Sequence, residues 1–584
     1  MKTAHWPLAT FAVCAVSQPL VFDYLIAGGG TAGLVIANRL SEDPSVTVAV
    51  VEPGDDVRND ALVQNVDLAG ISFSPSLDWN YNTTAQPQLG NRVINFHGGK
   101  AIGGTTVING MYYIRGDKAN FDAWEALGNA GWNWGTLLPY YLLSENFTIP
   151  TSAQVNSGMT YDPQYHGKNG HLKTGYPFQI ENGSFHSSAQ ETCEGMGLTL
   201  NQDIDDGSLR GFGSFPQTLD RDANVRETSA RAYYDPVDSR PNLRIIKGTV
   251  KKINFGDCPA KSLVATGFQY TDAEGDLQNI TARKEAILST GTFVSPLILE
   301  ASGIGNSKVL AQHGIQAKLA LSGVGEGLQD QALWTLVFQR AKNISGHIPF
   351  AAYATAQDLF GANTDSIATA TKKNLTSWSK AVSQRLGGGV SPEALEKRFQ
   401  VQHNVIFKDH ASVTELEFFS FDDYIGMTFS PTLPFSWGSV HLNSLGEINN
   451  PAIDPNSLSI DFDTQTAISA GRLARALWST APLRDYAGPF LIPGDAALPL
   501  NATDAQWTAY LTSSSGTANH GIGTCAMLPR DLGGVVDTTL KVYGTKNVRV
   551  VDASVIPHLL SGHPSATVYA LAERAARIII KGGL

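Results

Sequence analysis

Phe22-Asp23-Tyr24-Leu25-Ile26-Ala27 runs into Gly28-Gly29-Gly30-Thr31-Ala32-Gly33, and residues 34–40 continue with Leu34-Val35-Ile36-Ala37 and end at Leu40. Residues 46–51 follow as a second apolar run, closed by Glu52. The order is buried strand, glycine turn, helix, buried strand, acid. This is the βαβ fingerprint of dinucleotide binding. Each part has a physical task. Gly28 permits the tight turn, Gly30 lets the backbone approach a pyrophosphate, and Gly33 lets helix and strand pack closely. The helix start at Thr31 and Ala32 offers unpaired N–H groups and partial positive charge to phosphate. Glu52, roughly 20 residues beyond the glycines, is placed to accept hydrogen bonds from ribose hydroxyls. The motif alone does not choose between NAD and FAD.

Working outward, a chain of 584 residues is long for one core and predicts two domains. Hydrophobic residues are 42% and charged residues 16%, the balance of a globular protein. A formal net charge of -11 argues against nucleic acid as a partner. Residues 1–17 read as a signal peptide, with Lys2, an apolar run over 8–16, and Ala15-Val16-Ser17 at its end. No later stretch reaches roughly 18 apolar residues, so no membrane span is expected. Secretion is also suggested by glycosylation sequons at Asn82, Asn146, Asn182, Asn279, Asn343, Asn374 and Asn501. Of four cysteines, Cys14 lies in the signal. Cys193 and Cys258 are expected to pair, because Cys525 sits inside a motif described below. No cysteine or histidine cluster has metal-ligand spacing, and no metal is expected.

Two further glycine-rich loops imply backbone lying flat against a large ligand. The first is His97-Gly98-Gly99-Lys100-Ala101-Ile102-Gly103-Gly104-Thr105-Thr106-Val107-Ile108-Asn109-Gly110-Met111. The second begins Ser289-Thr290-Gly291-Thr292-Phe293 and ends Ser302-Gly303-Ile304-Gly305. Together with residues 23–52 and 519–580, these loops resemble glucose–methanol–choline FAD-dependent oxidoreductases. Pro529-Arg530-Asp531-Leu532-Gly533-Gly534-Val535-Val536-Asp537 is most similar to the secreted glucose oxidases, glucose dehydrogenases and patulin-synthase-like members of that family. The resemblance implies FAD, with Asn109, Gly110, Met111 and Tyr112 beside the isoalloxazine. It further implies Val250 at the adenine, and Asp552, Ala553 and Pro564 near the pyrophosphate and flavin. Some relatives tie FAD to a histidine just before the signature asparagine. Ile108 stands there, so non-covalent FAD is expected.

The same resemblance picks His520 and His563 out of 13 histidines as the catalytic pair. Alcohol oxidation removes a hydroxyl proton and a carbon-bound hydride. A neutral imidazole takes the proton and the flavin takes the hydride. His520 is expected to be the base and His563 to orient the hydroxyl. The implied fold is a Rossmann-like α/β FAD domain, discontinuous over 20–115, 215–330 and 516–584. An α+β substrate domain on an antiparallel sheet is interleaved over 116–214 and 331–515. Phe407, Leu416, Phe418, Met427 and Phe429 fall in runs read as strands of that sheet. Residues 368–386 read as a surface helix or loop.

Glucose-active relatives carry Arg-x-Asn just before the catalytic histidine's neighbour. Here Gly516 and Ala518 occupy those positions. Losing these donors leaves sugar hydroxyls unpaired, at about 1–3 kcal/mol for each group. Glu415 is a candidate for one remaining acidic contact, and the side chain of Asn519 is expected to point elsewhere. The pocket therefore suits a small aromatic or secondary-metabolite alcohol, with oxygen or a quinone as electron acceptor and a monomer or homodimer as the working form. A sugar oxidase or dehydrogenase and an FAD-containing hydroxynitrile lyase are the alternatives.

Overall fold

The computed structural model of the protein describes residues 20–68, 74–180, 184–256 and 262–582. The proposed signal peptide, Asn182 and Cys258 lie outside them. Strands β1 (Leu20–Ala27), β2 (Val48–Glu52), β3 (Gly211–Ser214), β4 (Leu243–Phe255), β5 (Ala265–Asp272) and β6 (Leu277–Leu288) come from the first half of the chain. Strands β7 (Ala332–Arg340), β8 (Phe350–Thr355), β9 (Ser412–Phe421), β10 (Tyr424–Pro431), β11 (Ala487–Ile492), β12 (Gly516–Thr517) and β13 (Val548–Val550) come from the second. The helices that matter here are α1 (Thr31–Leu40), α2 (Ser184–Gly195), α3 (Thr364–Arg385), α4 (Pro392–Phe407), α5 (Asp461–Ser479) and α6 (Pro564–Ile580).

The first sheet has the parallel order β4-β2-β1-β6-β13, and β5 closes it as an antiparallel neighbour of both β4 and β6. All five residues of β2 are buried, as expected of a parallel strand covered on both faces. Helix α1 buries Leu34, Val35, Ile36, Ala37 and Leu40, and packs against α6, which buries eleven of its residues.

The second sheet is antiparallel, in the order β11-β7-β10-β9-β8-β3, with β12 paired to the start of β7. Side chains alternate across a strand, so each face has its own chemistry. One face sends Trp334, Leu336, Leu416, Phe418, Met427 and Phe429 into an apolar layer shared with Ala470, Ala474 and Trp478 of α5. The other face carries Leu333, Glu415, Glu417 and Thr428 and lines a cavity between the two sheets.

Phe407 is the one expected strand residue that is not in the sheet. It ends α4 and packs on His403, one turn earlier, and on Phe462. An apolar residue spaced four positions from its neighbour serves a helix face as well as a strand face, and the surrounding helical run prevails. Residues 368–385 belong to α3. Cys193 is a free, buried thiol in α2 and not half of the expected disulfide. Among the described residues no helix is long and apolar enough to cross a membrane.

Candidate active site

The glycine turn after β1 opens onto a cavity of about 620 Å³ that runs from Gly28 to the cavity face of the second sheet. Gly28 has φ +94°, and the helix start at Gly30 has no side-chain cap. The first N–H groups of α1 are thus left for an outside acceptor. A Cβ on Gly104 would lie 2.7 Å from the Cα of Gly30, so the first and second glycine loops are held in close apposition. Glu52 accepts from the N–H groups of Gly29 and Gly54, each at 2.7 Å, and burial pushes its carboxyl up to about 7. Gly28, Gly30, Thr31, Ala32, Glu52, Asn109, Gly110, Met111, Tyr112, Val250, Asp552, Ala553 and Pro564 all line this cavity. Gly33 does not. It lies one layer beneath, where a Cβ would meet the Gly28 carbonyl oxygen at 2.0 Å, so its task is helix–strand packing.

The far wall is tied together by side chains that sequence spacing does not reveal. Asp552 accepts from the Gly291 N–H (2.9 Å) and the Ser295 hydroxyl (2.6 Å), joining the second glycine loop to the carboxyl-terminal segment. Buried Arg226 donates to the Asn109 carbonyl (2.7 Å) and side-chain oxygen (2.8 Å), which fixes the loop before Met111. Met111 has φ +66°, an uncommon conformation for a residue with a side chain. Ile108 and His97 are both on the wall. The Nδ1 of His97 is 2.6 Å from Asp78, and its backbone N–H donates to the Asn519 side chain at 2.8 Å. The Asn519 amide oxygen is thereby directed at the loop and not at a substrate.

His520 and His563 meet with ring centroids 4.4 Å apart. Strand β12 pairs with β7 through Ala332 and Thr517, so His520 emerges beside Gln331. The Gln331 amide nitrogen donates to the carbonyls of Leu560 (2.8 Å) and Thr432 (3.3 Å), so its oxygen is the acceptor facing His520. The His520 Nδ1 lies 2.6 Å from that oxygen and must carry the proton. Its Nε2 keeps the lone pair. Burial, helped by His563, holds His520 well below the usual histidine value, so this neutral tautomer persists.

His563 caps α6 and has the opposite character. Its Nε2 donates to Glu415 at 2.9 and 3.1 Å. Burial would lower its basicity, but Glu415 outweighs burial and raises it. Glu415 also accepts from Tyr353 at 2.5 Å, and His563 holds its carboxyl below the usual range against burial. The two imidazoles are thus shifted in opposite directions, His520 toward the neutral form and His563 toward the charged one.

This site can take a proton from a bound hydroxyl, and its glycine walls fit a large dinucleotide. The family model described as GMC oxidoreductase matches residues 22–333 and 434–572. The chain is a GMC oxidoreductase. It is 48% identical to the glucose oxidase-like protein fsoC of Humicola fuscoatra, over 96% of this chain and 95% of that protein. Identity to a glucose oxidase of Penicillium chrysogenum is 34%, covering 96% and 92%. Among solved structures, an FAD-dependent oxidoreductase from Chaetomium thermophilum superposes with TM-score 0.86 at 30% identity, covering 96% and 99%. A fungal aryl-alcohol oxidase gives TM-score 0.82 at 26% identity, with the same coverage. This GMC oxidoreductase is therefore an FAD-dependent enzyme acting on CH–OH groups.

Outside the cavity, His166, Asp203 and Asp205 come together in a buried cluster that no sequence spacing announces. Most of their atoms are engaged by other protein groups, although Asp205 Oδ2 has no hydrogen-bond partner. His166 bonds Glu145 (3.0 Å) and Asp203 (3.1 Å), and Arg115 holds Glu145 and the Asp205 carbonyl. The cluster is a charge-compensated brace among 115–205.

Proposed function

We propose that this GMC oxidoreductase oxidises a small aromatic or secondary-metabolite alcohol to the carbonyl, with His520 as the base. The observation that carries the reading is the Gln331–His520 hydrogen bond, which sets an imidazole with a free Nε2 lone pair on the cavity wall. When bound, FAD supplies the hydride acceptor. Asn109, Gly110, Met111 and Tyr112 would lie along its ring system, Val250 at the adenine, and Gly28 to Ala32, Asp552 and Ala553 along the pyrophosphate. Ile108 offers no nucleophile, which supports non-covalent binding.

His520 Nε2 takes the hydroxyl proton. His563, kept charged by Glu415, turns its Nδ1 hydrogen to the substrate oxygen and stabilises the alkoxide as it develops. The backbone carries this arrangement rigidly, since His520 N–H donates to Asp330 at 2.9 Å. Gly516 and Ala518 present no polar side chain, and Thr517 donates its hydroxyl to Asp330 at 2.6 Å, which speaks against sugar recognition here. Similarity to glucose oxidases favours the second reading, a sugar oxidase. The partition into a discontinuous FAD domain and an interleaved substrate domain, secretion, glycosylation, and transfer of electrons to oxygen or a quinone belong to the same proposal. Exposed Asn82, Asn279, Asn343, Asn374 and Asn501 are accessible for glycosylation.

The test is anaerobic flavin bleaching by benzyl alcohol and by glucose. Bleaching by the aromatic alcohol, abolished in His520→Ala, supports the proposal. Faster bleaching by glucose transfers the case to the sugar reading.

A further inference from the structure

The alcohol chemistry uses one carboxyl of β9 and leaves another idle. Glu415 and Glu417 share the cavity face of the strand, while Leu416 and Phe418 enter the apolar layer behind. Glu415 is committed to His563 and Tyr353. Glu417 makes no hydrogen bond to either histidine, although its charge adds to that of Glu415 in raising His563. It accepts from the Tyr112 hydroxyl and, at 3.3 Å, from Thr428 opposite it on β10. Among the described residues lining the cavity there is no lysine or arginine.

A carboxyl in such surroundings is expensive to ionise. Burial, then repulsion by Glu415, pushes Glu417 up to about 7. In mildly acidic medium it therefore holds a proton and can both donate and accept, and near neutrality both forms are present. A hydroxyl, itself donor and acceptor, matches either state. Residues two apart on a strand stand about 7 Å from one another. That is a span a hydroxylated benzyl ring bridges. Leu333 and Ala518 add apolar wall nearby. A carboxylate on the substrate would meet Glu415 and Glu417 with no lysine or arginine beside them, and the nearby His563 is already paired to Glu415.

We infer that Glu417, with Tyr112 and Thr428, forms a specificity-determining subsite for a second hydroxyl across the ring from the reacting carbinol. The preferred substrates are hydroxylated aryl alcohols. This rests on the alcohol-oxidation reading above, and the experiment separates the two.

The holoenzyme, Glu417→Gln and Glu417→Leu are compared on 3- and 4-hydroxybenzyl alcohol and on benzyl alcohol, with FAD content and Tm recorded for each. The wild type should prefer one hydroxylated isomer by about tenfold or more in kcat/KM, mostly through KM. The ratio should fall to near one in Glu417→Leu and survive in large part in Glu417→Gln. A second readout needs no turnover. Flavin absorbance is titrated with the corresponding hydroxybenzaldehydes and benzaldehyde, and the Kd ratio should change in the same way. No preference in the wild type, or the same preference in Glu417→Leu, overturns the inference. Preferential aldehyde binding through Glu417 without alcohol turnover sinks the oxidation reading and leaves the subsite standing. If Glu417→Leu does not fold, the Gln variant with the binding titration carries the decision: its Kd ratio should lose the change with pH across 7 that the wild type shows, and the same response to pH in both counts against the subsite.

Discussion

The Nδ1 of His520 faces the side-chain oxygen of Gln331 at 2.6 Å, while the nitrogen of the same amide is spent on two backbone carbonyls. The amide cannot flip without losing both of those bonds, so the tautomer of His520 is set by the backbone around it. Gln331→Leu should therefore slow anaerobic flavin reduction by about 100-fold or more, since a positioned general base contributes roughly 100- to 10,000-fold. FAD content should stay at the wild-type level. An unchanged rate would show that Gln331 does not determine the tautomer.

The two histidines should bound the pH profile on opposite sides. His520 must be neutral, and its protonation is displaced well below the usual 6.5, so it causes no loss of rate on descending through that value. His563 must be charged, and its proton is held above 6.5, so the alkaline limb belongs to it. With saturating benzyl alcohol, which lacks the second hydroxyl that Glu417 would bind, the reductive half-reaction measured against pH should show a plateau across 6.5, and His563→Asn should remove the alkaline limb along with most of the rate. A limb centred on 6.5 in the wild type would contradict the assignment.

Two glycines of one motif should fail differently when replaced. In Gly33→Ala the new methyl would stand 2.0 Å from the Gly28 carbonyl oxygen, so backbone must move and the protein should lose both Tm and flavin. In Gly30→Ala the nearest atom is 3.7 Å away, so the fold is retained while the methyl intrudes where a pyrophosphate would lie. Tm and the ratio of flavin to protein absorbance, taken on both variants, distinguish the two outcomes.

The buried brace at His166 makes a stability prediction with a definite sign. Burial would lower the basicity of His166, but Glu145 and Asp203 raise it to about 10 from 6.5. That stabilisation is complete below 6.5 and is lost as pH climbs through about 10. Glu145 and Asp203 are held below their ordinary values, so their share is present above about 4.5 and lost on acidification. His166→Ala should thus cost about 3–5 kcal/mol between pH 4.5 and 6.5, and progressively less toward pH 10. Denaturant unfolding of wild type and variant at three pH values measures it.

Local patterns were readable because they repeat over neighbours in the chain. The glycine turn with its two apolar strands located β1, α1 and β2, and alternation located Leu416, Phe418, Met427 and Phe429 in the second sheet. Phe407 was misread because i, i+4 spacing within a short apolar run satisfies helix and strand alike. The Cys193 pairing failed because counting cysteines carries no distance. Arg226, Gln331 and Glu417 left no signal at all. Each is an ordinary polar residue whose importance comes from what lies opposite it, more than 100 residues away for Arg226 and Asn109.

The sequence by itself pointed to the family, the dinucleotide turn and the two histidines that the fold brings together, since these depend on residue type at fixed short spacing. Only the tertiary structure decided in which direction each histidine's proton affinity is shifted and which acids face the cavity. Those properties are set by burial and by charges brought from distant segments, and a proton's affinity responds to the field of every group within reach, whatever its place in the chain.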